Sequence, residues 1–100
     1  TEPGGLNEIR FGSYYVDGCS ERMKGNLQDA LRLFEKCAEI DPASVPVKYE
    51  LATLHKLLGN NDKALENARM AAASDQKNEW YQLLLIDCLV TSKQYSEAVK

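Results

Sequence analysis

From Gly25 to Asp41 the chain reads GNLQDALRLFEKCAEID, and from Gly59 to Asp75 it reads GNNDKALENARMAAASD. In the first stretch Leu27, Ala30, Leu31, Phe34, Cys37 and Ala38 recur at three-and-four spacing, which places them on one stripe of a helix. Gly25-Asn26 supplies the stop signal of a preceding helix and a turn. Asp41-Pro42 ends the stripe, because the residue before proline resists the α conformation. The second stretch repeats Gly, Asn, Ala, Leu, Ala and Asp at a period of 34 residues. Outward from it, Tyr15 returns as Tyr49, Leu51 as Leu85 and Ala64 as Ala98. A helix–turn–helix unit is therefore written about two and a half times. No single pair buries its own stripe, so the units stack into an all-α solenoid of antiparallel helix pairs.

The register divides the chain. Residues 1–10 carry Pro3, Gly4 and Gly5 without an apolar period and read as an irregular lead-in. Residues 11–44 form the first unit, with helices over Phe11 to Lys24 and Leu27 to Ile40. Residues 45–78 form the second, with Ser44 as N-cap and Pro46 tolerated in the first turn. Its helices run to Leu58 and from Asp62 to Ser74. Residues 79–100 form a partial third unit: Asn78 caps a helix over Glu79 to Ser92, and another begins at Tyr95. The register stops midway through that unit, so the chain is expected to be a fragment of a longer one.

Composition narrows the function. The formal charge is −3, from 12 basic and 15 acidic residues. These are scattered, with no basic cluster to displace the counterions of nucleic acid. No apolar run exceeds four residues (Leu83 to Ile86, Met70 to Ala73), whereas a spanning helix needs about twenty. The chain opens on Thr1 without a leader pattern, which leaves the compartment open between cytoplasm and periplasm.

The residues that carry chemistry are sparse. Cys19, Cys37 and Cys88 are widely spaced, form no CxxC, and read as small packing residues. His55, the only histidine, falls on the apolar side of its helix, has no companion ligands for a metal, and reads as a packed side chain. Nucleophilic catalysis needs a base beside the nucleophile, and no motif frames one. Glu35 and Glu39, one turn apart, read as a solvated face. Gly4-Gly5 precedes no strand, so no phosphate fingerprint is present. No catalytic residue, cofactor or metal site is expected.

The pattern resembles the tetratricopeptide repeat. Tyr14, Gly18, Gly25, Ala30, Phe34, Cys37 and Pro42 fall on that family's positions in the first unit. Leu51, Ala52, Gly59, Ala64, Ala68 and Ala71 do so in the second, and Leu85, Tyr95 and Ala98 in the third. Asp17 and Glu21 depart from it, as a polar outer edge of a terminal repeat would. Ile86 is bulky where a small residue is usual, and Lys93 replaces the turn glycine.

The resemblance implies a right-handed alpha-alpha superhelix that acts as a non-catalytic protein- or peptide-binding scaffold. The first helix of each unit would line a concave groove. Its candidate contacts are Tyr15, Arg22, Tyr49, Thr53, Lys56, Trp80, Leu83 and Asp87, with Gly12, Cys19, Met23, Pro46, Leu57, Val90 and Thr91 beside them. Tyr15, Tyr49 and Trp80 have the alternative of packing between helices. Relatives that clamp the acidic tails of chaperones need Lys, Asn and Arg where this chain has Tyr15, Cys19, Glu50, Trp80 and Leu84, so that ligand is excluded. Glu50 would repel it. The Tyr14-Tyr15 pair followed by a Gly-Asn turn resembles repeats of bacterial envelope proteins and implies a bacterial source. Two other roles stay open: a structural spacer or self-association module, and the accessory domain of a larger enzyme.

Overall fold

A computed structural model of the chain describes residues 4–98, and side chains from 6 to 93. Five helices follow one another: α1 (Gly4–Met23), α2 (Leu27–Ile40), α3 (Val45–Leu57), α4 (Asn61–Ser74) and α5 (Glu79–Ala98). Each packs against the next in the chain, and α3 also touches α5. The α1/α2 and α3/α4 pairs are helix hairpins joined by short turns.

Both hairpins turn on the glycines the sequence singles out. Gly25 and Gly59 each have φ of 85°, a region open to glycine without steric cost. Around Gly25, its N–H donates to the Arg22 carbonyl at 3.0 Å and the Asn26 N–H donates to that of Glu21 at 2.9 Å. Gly59 and Asn60 repeat the pattern with Lys56 and His55 at 3.2 and 2.8 Å. These paired bonds satisfy carbonyls that the helix ends leave open. At the other helix starts, the Asn78 side-chain oxygen accepts from the N–H groups of Trp80 and Tyr81 at 3.0 and 3.3 Å, the expected cap. Ser44 holds the cap position of α3, but its hydroxyl makes no cap bond.

Two differences from the sequence reading concern helix ends. α1 starts at Gly4, so the expected lead-in is helical from there, while residues 1–3 lie outside the described residues. Residues 6–10 contain no glycine or proline, and extending a formed helix costs little compared with nucleating one. The extension brings Asn7, Glu8 and Phe11 across from Ile40 and Asp41 at the end of α2. At the other end, α5 runs through Lys93 to Ala98 with no turn. The two turns that do form need a positive φ at the position Lys93 occupies in the third unit. For a side-chain residue that conformation costs roughly 1–2 kcal/mol, so the helix continues. Val99 and Lys100, the end of the expected last helix, lie outside the described residues.

The core has two unequal parts. The first joins Ala30, Leu31, Phe34 and Cys37 of α2 to Val47, Leu51 and Leu54 of α3, with Phe11, Tyr14, Tyr15 and Cys19 of α1 against it. Phe34 is fully buried and lies against Gly18. A Cβ at Gly18 would stand 2.9 Å from the Phe34 Cε2 and Cζ atoms, so the small residue is what lets α1 approach. The second part joins Ala52 of α3, Ala64 and Ala68 of α4, and Leu84 and Cys88 of α5. In repeat register Ala52 and Ala68 stand where Gly18 and Phe34 stand in the first unit, and both alanines are fully buried. Ile86, the third residue of that series, is exposed, and no described helix covers it.

Candidate functional site

The odd-numbered helices lie side by side and are tied together by their side chains. Arg22 of α1 reaches Glu50 of α3, with Nε 3.0 Å from Oε2. Lys56 of α3 reaches the Asp87 carboxylate of α5. Tyr49 of α3 and Tyr81 of α5 have ring centroids 5.5 Å apart, tilted at 41°. Within α1 and across to α2, Phe11 stacks on Tyr15 at 6.1 Å, and Tyr15 meets Phe34 edge-on at 5.4 Å. Such ring pairs add to what area burial alone contributes.

This arrangement sorts the eight candidate contacts. Tyr15 and Tyr49 are half-buried in ring packing. Arg22, Lys56 and Asp87 are engaged in ion pairs between helices. The Thr53 hydroxyl donates to the Tyr49 carbonyl at 3.0 Å. Trp80 and Leu83 are exposed, Trp80 at 70%, so the alternative of helix packing does not hold for Trp80. Met23, Pro46, Leu57 and Val90, assigned to the same face, are exposed as well.

Glu50 differs from its sequence reading. It is 8% exposed and paired with Arg22, so it does not present a bare charge. The pairing is imperfect: Arg22 Nε and Glu50 Oε2 are both buried, and neither makes a hydrogen bond. Burial pushes the Glu50 carboxyl above its ordinary range, and the Arg22 charge pulls it part of the way back. The Tyr15 hydroxyl is also pushed up, first by burial and then by the Glu50 charge. Sequence reasoning missed Glu50 as a partner and Tyr81 altogether. The signal available was opposite charge at a separation of one repeat less one or two helical turns, which Arg22–Glu50 and Lys56–Asp87 share.

Of the remaining reactive groups, His55, Cys37 and Cys88 sit in the core and Cys19 is half-buried against it. His55 is buried, and the Asn60 amide nitrogen lies 3.2 Å from its Nδ1. Burial and then the Lys63 charge push its pKa down, against a smaller opposing effect of Glu35. Cys37 and Cys88 are buried free thiols, and burial raises Cys37 to about 11, the reverse of what a reactive thiolate needs. Among the described residues no group of three or more His, Cys, Asp or Glu side chains could hold a metal ion. No described helix is long and apolar enough to cross a membrane.

An all-helical stack of glycine-turned hairpins, with small residues at the crossings, is the architecture of one repeat family. The family model described as tetratricopeptide repeat matches residues 22–84, and the chain belongs to that family. Among curated proteins, it is 33% identical over 84 residues to the BBSome complex member BBS4 of Bos taurus. The same protein of Mus musculus is 32% identical over 84 residues. Each match covers 84% of this chain and 16% of the relative, so the chain spans about a sixth of their length. Both relatives are mammalian, and the expected bacterial source finds no support in them.

Proposed function

We propose that this chain is part of a non-catalytic scaffold whose odd-numbered helices form a groove for a segment of a partner protein, and that the segment is held by apolar anchors. The observation that carries the reading is the division of labour along that face. Arg22 and Lys56 are paired with carboxylates of the next odd-numbered helix. Met23, Leu57, Trp80 and Leu83 are exposed. Exposed apolar and aromatic side chains gathered on one face are a common mark of a protein interface, and Trp is among the residues that most often dominate its energy. The relatives' name describes them as members of a protein complex, which supports a place for this chain in a multi-subunit assembly.

The test is a pull-down from native lysate with the full-length protein, beside Met23→Ser/Leu57→Ser/Trp80→Ala and Lys56→Ala versions of equal helicity. The groove reading expects capture to be lost in the triple variant and kept in Lys56→Ala and at raised salt. Equal capture by wild type and triple variant overturns it and favours the convex face. No specific capture by any version favours a spacer.

A further inference from the structure

The repeat register allows the outer face of α1 to be compared, residue by residue, with the face by which α3 packs on the unit before it. On α3 that face is Val47, Leu51, Leu54, His55 and Leu58. The first four are buried, and Val47, Leu51 and Leu54 share a core with α2. Their counterparts 34 residues earlier on α1 are Ser13, Asp17, Ser20, Glu21 and Lys24. All five are polar. Ser13, Asp17, Ser20 and Lys24 are exposed. Half-buried Glu21 accepts from the Asn26 amide at 2.7 Å and stands 3.6 Å from the Lys24 ammonium.

The same face of α2's neighbourhood is balanced rather than apolar. Lys24, Arg32 and Lys36 stand with Asp17, Glu21 and Asp29 around one shallow cleft between α1 and α2. Arg32 bonds Asp29 there at 3.1 Å. A helix packed on α1 as α2 packs on α3 would cover two carboxylates, an ammonium and two hydroxyls, with no core residue to offset their desolvation. Uncompensated burial of such groups is strongly unfavourable.

We infer that the outer face of α1 is a finished, water-facing end of the solenoid: no repeat stacks on it, and any further unit joins on the α5 side. The two ends differ chemically, since α5 presents Ile86 to solvent at the register position where Gly18 and Ala52 are buried against the following helix. Terminal repeats with a polar outer face are what keep stacked arrays soluble. The inference rests on the side chains of this face and holds whatever chain precedes it.

The experiment uses the full-length native protein carrying Asp17→Cys or Ser20→Cys, labelled with a water-soluble maleimide and read site by site by peptide mass spectrometry. Both thiols are expected to react within about tenfold of an unfolded control. Protection by a hundredfold or more, released only on unfolding, overturns the inference. Ser20→Cys changes one atom and decides the matter if Asp17→Cys perturbs folding. A second version, Ser13→Val/Asp17→Leu/Ser20→Leu/Lys24→Leu, gives α1 the face of α3. It is expected to self-associate with rising concentration in sedimentation, because it exposes an apolar stripe. A version that stays the size of wild type and gains stability would mean the face is already covered within the chain, and would overturn the inference as well.

Discussion

Replacing Gly18 by alanine sets two effects of known size against each other. In the interior of α1, alanine is favoured over glycine by about 0.8–1 kcal/mol. Against this, the added Cβ would stand 2.9 Å from two atoms of the Phe34 ring and 3.2 Å from a third. Carbon pairs are most favourable at about 3.5–4.0 Å, so helix or ring must give by about 0.6 Å or more. The ring is fully buried and held edge-on by Tyr15, which leaves it little room. Overpacking of this kind costs about 1–3 kcal/mol. Gly12 on the same helix is the control, because a Cβ there meets nothing within 4 Å. Gly12→Ala should therefore stabilise by about 0.5–1 kcal/mol. The propensity gain is common to both variants, so their difference isolates the overlap at about 1–3 kcal/mol. Urea unfolding with linear extrapolation resolves such a gap, and in a domain of this size each kcal/mol moves Tm by about 4–8 °C. In a Phe34→Leu background, where Cε2 and Cζ are gone, the gap should close. Equal stabilisation by Gly18→Ala and Gly12→Ala in the native background would refute the argument that Gly18 is small because of Phe34.

Three further outcomes follow from the same geometry. Arg22→Met, which keeps the stem and removes the charge, should cost about 1–2 kcal/mol at pH 7, between an exposed and a fully buried pair because Arg22 is about a third exposed. The loss should shrink at pH 4, since Glu50 takes up its proton more readily than an ordinary carboxylate; an unchanged loss in urea titrations at both pH values would contradict this. His55 has a lowered folded pKa, so its neutral form stabilises the fold fully above the unfolded value near 6.5, and that contribution is lost as pH falls through the folded pKa. His55→Phe should flatten this part of the stability profile, and an unaltered slope would exclude His55 as its source. Lys93→Gly/Gln94→Asn restores the Gly-Asn pair of the first two turns and should end α5 near residue 91, seen as faster amide exchange over residues 93–98.

The parts legible in the sequence are those fixed by local chemistry or by the register. Gly25 and Gly59 mark turns because each needs a positive φ, and Gly18, Ala30, Ala52 and Ala64 mark helix crossings because only small side chains fit there. His55 reads as a core residue because the apolar stripe continues on both sides of it. The start of α1 is hidden because Pro3, Gly4 and Gly5 carry the loop signal, while the helix-forming residues after them have a weak apolar period. The end of α5 is not legible because the repeat register continues past Lys93, although the glycine that makes the turn possible is missing there. The candidate face was legible as a set of positions, but not in its bonding. Whether Arg22 or Lys56 is available to a ligand depends on Glu50 and Asp87, which lie on other helices and leave no local trace.

The two ion pairs share a direction. Arg22–Glu50 and Lys56–Asp87 tie α1 to α3 and α3 to α5, so both act along the row of odd-numbered helices. Among the described residues no ion pair joins α2 to α4. Partly exposed charges are weakened by salt, so ionic strength acts on the stiffness of this row while the apolar seams are left intact. Raising ionic strength is therefore expected to loosen the α1–α3 and α3–α5 ties before it touches the apolar seams.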